Sequence, residues 1–192
     1  MILGITGGTG CGKTTLLRLI ERLGGLVIDC DALYHHLLAT DETLLQAIEA
    51  RFPGTVENGE LSRKKLGAIV FNDPAALRDL NAITHAAVKT AVLALLGQTP
   101  GRLTAIDAIG LFEGGLADLC DVTVAVTAPE EARIQRIMVR DGISYDYAQS
   151  RVCAQRTNEE FSRLCGHTLC NDSTEEAFQA KCLAFLQLFG IM

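Results

Sequence analysis

Residues 1–6, MILGIT, run directly into Gly7-Gly8-Thr9-Gly10-Cys11-Gly12-Lys13-Thr14, a match to GxxxxGK followed by Ser or Thr. Few short segments constrain a chain more. Glycines let consecutive backbone N–H groups turn inward around phosphate oxygens, and the helix that follows presents its positive end to them. Such a loop needs a strand before it and a helix after it. Residues 1–6 read as a short buried strand, and Leu16, Leu17, Leu19, Ile20 and Leu23 form an apolar helical stripe over residues 13–23. The motif makes Gly8, Gly10, Cys11, Gly12, Lys13, Thr14 and Thr15 candidates to hold ATP. Lys13 would reach the β- and γ-phosphates, and the Thr14 hydroxyl is placed to bind Mg²⁺.

The period of the apolar residues keeps switching along the chain. Gly24-Gly25 stops the first helix, and Leu26–Asp29 reads as a second strand. Residues 102–107 and 121–127 are further strand candidates, and 130–140 and 174–189 read as helices. Strands separated by helices predict an α/β fold of the P-loop NTPase type, a parallel sheet flanked by crossover helices. Residues 32–97 break the alternation, with no strand signal and several helical patterns, the longest over 74–96. Residues 133–163 carry six arginines, Arg133, Arg136, Arg140, Arg151, Arg156 and Arg163, among four acids. The expected organisation is a single domain of 192 residues. Its nucleotide-binding core comprises 1–31, 98–132 and 166–192, its helical acceptor-binding insertion 32–97, and its arginine-rich helical lid 133–165.

Charge narrows the partners. Seventeen Lys and Arg against 23 Asp and Glu give a net charge of −6, which argues against a nucleic-acid binder. No uninterrupted run reaches the ~18 apolar residues of a membrane span, and the N-terminus has no basic leader. Seven scattered cysteines without a CxxC pair suit a reducing compartment, so a cytoplasmic protein without membrane or nucleic-acid partners, working as a monomer, is expected. Cys165, His167 and Cys170 lack the second ligand pair of a structural zinc site and read instead as small buried side chains. The absence of an NKxD base-reading motif disfavours a GTPase or nucleotide-dependent switch. A small chain with a helical insertion and an arginine-rich stretch suits a kinase closing over a small acceptor, with a nucleoside or nucleotide kinase, and behind it a nucleotide-dependent switch, as the alternatives.

Beyond the loop, the chain resembles the dephospho-coenzyme A kinase family. Gly4-Ile5-Thr6-Gly7-Gly8 with the loop is similar to the family's opening GLTGGIGSGKS, and Val27-Ile28-Asp29-Cys30-Asp31 to its VIDAD. Leu61-Ser62-Arg63 with Val70-Phe71, and Leu80-Asn81-Ala82-Ile83-Thr84-His85, resemble its LdR…iF and LNxixHP signals. Leu111-Phe112-Glu113 matches the end of PLLFE, Arg140-Asp141 with Arg151 and Gln155 the RD…R…AQ pattern, and Asn171 the closing VIxN. The chain departs from these patterns at Ala86, Ile109-Gly110, His167 and Cys170.

The resemblance implies transfer of the γ-phosphate of ATP to the ribose 3′-hydroxyl of dephospho-coenzyme A, with ATP and Mg²⁺ as cofactors. Lys13 and Arg140 would hold the transferring phosphoryl group, Arg140 acting from the lid. Asp31 follows the second strand, on the side where α/β sheets place their ligands. It either accepts the hydroxyl proton or caps the next helix, and the resemblance favours the first. Asp29 is left as a metal-shell or structural carboxylate. Arg63, His85 and Glu113 are assigned to the acceptor and Asn171 to ATP. Asp107 either reaches Mg²⁺ or serves the sheet end structurally.

Overall fold

The computed structural model describes residues 1–191. In chain order the elements are β1 (Ile2–Thr6), α1 (Lys13–Arg22), β2 (Leu26–Asp29), α2 (Cys30–Thr40), α3 (Glu42–Arg51), β3 (Val56–Glu57) and β4 (Glu60–Leu61). They continue with α4 (Arg63–Val70), α5 (Pro74–Gln98), β5 (Thr104–Asp107), β6 (Val122–Thr127), α6 (Glu130–Asp141), α7 (Tyr145–Cys153), α8 (Asn158–Leu164), β7 (His167–Cys170) and α9 (Glu175–Gln187). Two compact units result, one of residues 1–28, 101–112 and 116 onward, the other of 29–100 with 113–115.

The first unit is built on a five-stranded sheet of order β2-β5-β1-β6-β7. β1 pairs in parallel with β5 on one side and β6 on the other, and β7 adds in parallel to β6. The chain therefore reverses its direction of travel across the sheet at β1. That switch point, at the carboxyl ends of the strands, is where α/β sheets bind ligands, and the glycine loop occupies it. β1 is buried along almost its whole length, as a central parallel strand must be. Of the stripe expected on α1, Leu16, Leu17, Leu19 and Ile20 pack down beside Leu3, Ile5, Val124, Val126 and Phe178, whereas Leu23 falls at the C-cap and is exposed. Each such side chain contributes roughly 1.5–3 kcal/mol on burial.

β7 is an edge strand that the sequence does not announce. Of its four residues only Leu169 is even partly buried, so no alternation marks it. Its exposure also corrects the expectation for the cysteines near it. Cys11, Cys30 and Cys182 are buried, but Cys165 is half-buried and Cys170 and Cys153 are exposed. His167 packs edge-on to Phe185 and Phe189, with ring centroids 5.5 and 5.4 Å away.

The second unit is helical, with its own core of Leu38, Leu44, Ile48, Phe52, Leu66, Val70, Ala76 and Leu80. α5 passes the length and composition of a membrane span despite Arg78, Asp79 and Lys89 interrupting it. Here it is the spine of the unit: Ala76, Leu80, Thr84, Val88 and Val92 recur every four residues as its buried face, packed with α2, α3 and α4. Asp73 caps it through the Ala75 and Ala76 N–H groups, and Pro74 takes its first turn. The expectation of no strand here needs one correction, the antiparallel pair β3–β4. Asn58 and Gly59, at φ 52° and 80°, make the turn that joins it, positive φ at both central residues being the hairpin requirement.

Candidate active site

Every carbonyl of the glycine loop from Gly7 to Gly12 accepts a hydrogen bond. Lys13 Nζ donates to Gly7 O at 2.9 Å, and Cys11 N–H to Gly8 O at 3.2 Å. Arg133 Nε donates to Thr9 O at 3.0 Å, Arg136 Nη1 to Gly10 O at 3.1 Å and Asn171 Nδ2 to Cys11 O at 3.0 Å. Thr15 N–H closes the series on Gly12 O at 3.1 Å. A trans peptide sets its N–H opposite its C=O. Carbonyls pinned toward α6 and β7 therefore turn the N–H groups of Gly10, Cys11 and Gly12 away from those elements. Gly12 caps α1 in the left-handed conformation (φ 100°), with no side-chain cap on the helix. That leaves the end of α1 with donors and a positive dipole for an anion.

A Cβ on Gly7 would lie 2.1 Å from Val126 O and one on Gly10 2.7 Å from Arg133 O, backbone contacts that, with φ of 140° and 80°, dictate glycine at both. At Gly8 and Gly12 a Cβ would meet side-chain ends instead, Arg133 Nη2 at 2.1 Å and Asn171 Nδ2 at 2.3 Å. Cys11 is buried, and burial pushes its thiol above the ordinary range against the pull of Lys13. It is a packed side chain, while its carbonyl does the anchoring.

Lys13 Nζ lies 3.9 Å from Asp107 Oδ1 at the carboxyl end of β5. In register with Ile5 of β1, Asp107 stands beside the strand that feeds the loop. The hydroxyl of Thr14, in the exposed first turn of α1, and the Asp107 carboxylate are both hard oxygen donors. Their chemistry fits Mg²⁺.

Arg140 lies in the last turn of α6, its side chain 58% exposed and held by Asp141. Its Nε and Nη2 donate to Asp141 Oδ1 and Oδ2 at 2.6 and 3.0 Å. Arg151 Nη1 of α7 adds a bond of 2.5 Å to the same carboxylate. The Arg140 and Arg151 hydrogen bonds hold the Asp141 carboxyl down at about 2.

In the helical unit, Asp29 caps α2, its carboxylate accepting from Ala32 N–H at 2.9 Å. Capping is thus not the role of Asp31, which sits exposed in the first turn of α2, two residues past the cap. Of the two carboxylates Asp29 has the structural duty. Arg63 opens α4, its Nη2 3.4 Å from His35 Nδ1. Tyr34 next to it has its hydroxyl pKa raised by burial, with Arg63 pulling the other way. His85 is half-buried on α5, and Glu113 is exposed in the short 113–115 segment.

With that geometry in view, relatives are informative. The sequence model of the dephospho-CoA kinase family matches residues 1–176. A dephospho-CoA kinase of Geobacillus kaustophilus is 34% identical over 97% of this chain and 96% of its own length. The chain belongs to the dephospho-CoA kinase family. Solved structures agree. A Thermus thermophilus protein superposes with a TM-score of 0.82 at 30% identity, covering 100% of this chain and 98% of that one. Campylobacter jejuni dephospho-CoA kinase gives 0.70 at 25% identity, again over 100% and 98%.

Within the first unit, the structure brings Lys13, Asp107 and Asn171 to the loop and leaves Arg140 on Asp141. It adds residues to which reading the sequence gave no individual duty at the loop. Arg133, Arg136 and Gln155 all bond it. For the two arginines the signal was the cluster of six, read only as a basic lid, and Gln155 was matched only as part of the RD…R…AQ pattern. Arg133 and Arg136 are three apart, so they share one helix face, and that spacing alone could have assigned them a common target.

Proposed function

We propose that the chain is a dephospho-CoA kinase, moving the γ-phosphate of ATP to the ribose 3′-hydroxyl of dephospho-coenzyme A and releasing ADP. The observation that carries this is the fully anchored loop at the sheet's switch point, in a chain of this family. An anchored anion site is what phosphoryl transfer needs, since its transition state is met mainly by positioning and charge.

The Gly8, Gly10, Cys11 and Gly12 backbone, with Thr14 and Thr15 at the head of α1, cradles the phosphates. Lys13 leaves its resting contact on Gly7 for the γ-phosphate. Asn171 serves ATP by holding the loop from behind. Asp31 takes the proton of the 3′-hydroxyl as its oxygen bonds to the γ-phosphorus and the bond to the β–γ bridging oxygen breaks. Arg140 exchanges Asp141 for the charge developing on the transferred group. Thr14 and Asp107 would hold Mg²⁺, which would supply neutralisation of phosphate charge when bound. Arg63, His85 and Glu113 serve the acceptor, a role consistent with a helical unit of its own. The enzyme works as a monomer in the cytoplasm on small molecules, without nucleic acid or membrane. Its seven free cysteines and net charge of −6 support that setting.

The test is ADP release by the purified protein with ATP and Mg²⁺, with and without dephospho-coenzyme A. Release should depend on dephospho-coenzyme A and not on adenosine, other nucleosides or their monophosphates. A nucleoside that supports turnover where dephospho-coenzyme A does not would overturn the reading.

A further inference from the structure

We propose that Arg133 is a positioning residue for phosphoryl transfer, a buried guanidinium that presets the phosphate loop from the α6 side. The inference rests on the kinase reading above. Arginine is rarely fully buried unless something is gained by it, yet Arg133 is 3% exposed. Its Nε donates to Thr9 O and its Nη2 to Gln155 Oε1, both at 3.0 Å. The same Gln155 oxygen accepts from Thr9 N–H at 2.8 Å, and Gln155 Nε2 donates to Thr9 Oγ1 at 2.8 Å. All three polar groups of Thr9 are thus held by two side chains, and Arg133 bonds both the loop and the clamp.

Two nitrogens of the guanidinium, Nε and Nη2, are used at once. The guanidinium occupies the space that a side chain on Gly8 would need, with Cζ 2.6 Å from that absent Cβ. The backbone of Arg133 also abuts Gly10, whose Cβ would lie 2.7 Å from Arg133 O. Residues 8–10 are therefore seated on α6 at Arg133, with Arg136 adding its bond to Gly10 O. Fixing Thr9 O fixes the Gly10 N–H through the shared peptide plane, so that donor is oriented before any phosphate arrives. Donors set in advance cost no reorganisation at the moment of reaction. Both acceptors of Arg133 are neutral, so its bonds hold the loop without cancelling its charge. Burial lowers its pKa from the usual value, but an arginine stays protonated.

The experiment uses Arg133→Met, which keeps the bulk and removes the donors, and Arg133→Lys, which keeps the charge and loses the fork. ADP binding by calorimetry is the primary readout, because it does not depend on which alcohol is phosphorylated. The kinase reading is judged separately, by wild-type turnover with dephospho-coenzyme A. Arg133→Met should weaken ADP binding about tenfold to a hundredfold, the worth of a charged hydrogen bond. The KM for ATP should rise while that for dephospho-coenzyme A stays within about twofold, since the loop holds only the nucleotide phosphates. A merely structural arginine would lower the melting temperature and leave both constants of the folded fraction unchanged. Arg133→Lys should recover only part of the loss, because an ammonium cannot bond two acceptors in the fork geometry. Wild-type ADP affinity in either folded variant overturns the proposal, and Arg133→Lys decides it if Arg133→Met does not fold.

Discussion

Asn171 Nδ2 donates to Cys11 O at 3.0 Å, joining residues 160 apart in the chain. Asn171 follows β7 directly, and its own N–H is taken by Thr127 O at the end of β6 at 2.8 Å. The amide thus transmits the position of the sheet edge to the phosphate loop. Asn171→Leu should leave the buried Cys11 carbonyl unsatisfied, costing about 1–3 kcal/mol. For a chain of this size each kcal/mol lowers Tm by about 2–4 °C. Thermal melting and ADP titration should both show the loss, and an unchanged melt with unchanged affinity would remove Asn171 from the loop's support.

Lys13→Ala should lower kcat by about a hundredfold to a thousandfold, the cost of one donor to a charged transition state. The fold should survive, because the residue's contacts, Gly7 O and Asp107, lie at the loop rather than in the core. Circular dichroism with steady-state kinetics checks this. Near-normal turnover in a folded variant defeats the assignment.

Arg140→Ala should reduce kcat tenfold or more, roughly the effect of one charged transition-state donor, with little change in melting temperature for so exposed a side chain. Its partner supplies a pH test. Asp141 is held at about 2 against the ordinary 3.8. A carboxyl with a depressed folded-state pKa contributes stability above its unfolded value and loses that contribution as pH falls toward the folded one. The melting temperature of the wild type should therefore exceed that of Asp141→Asn by a small, constant amount above about pH 5, and the difference should shrink as pH falls through about 4 to 2 and be lost below about pH 2. A gap undiminished at about pH 2 would show that the pairing with Arg140 and Arg151 is not its source.

Asp29 and Asp31 should separate cleanly. Asp29→Ala removes the α2 cap and should cost about 1 kcal/mol, or about 2–4 °C in Tm. Asp31→Asn leaves that cap intact, so it should melt like the wild type and turn over far more slowly, while ADP binding stays within a few-fold. Unimpaired turnover in Asp31→Asn would end the proton-accepting role.

Much of this was legible along the chain because the signals are local. The run from residue 1 to 14 contains its own strand, its own turn glycines and the start of its own helix. The long periodic stretch from Pro74 declares α5 by pattern and cap. The hairpin at Asn58-Gly59 was missed, because its two-residue strands offer no alternation to notice, although the dipeptide suits positive φ. β7 could not be read, because an edge strand with one half-buried side chain carries no periodic pattern.

Sequence by itself determined the phosphate loop, the α/β alternation and the family, since each depends on residue types at short spacings that fix backbone conformation or recur as a motif. Only the tertiary structure decided which residues anchor that loop. Arg133, Arg136, Gln155 and Asn171 reach it from 124 to 160 positions away. Their roles depend on the fold bringing α6, α7 and the end of β7, two strands from β1, to the loop. The same holds for the two aspartates two residues apart, where helix geometry at Asp29, rather than composition, settled which one is the cap. A hydrogen bond is decided by distance and direction in space, and a linear pattern specifies neither for partners that the fold alone brings together.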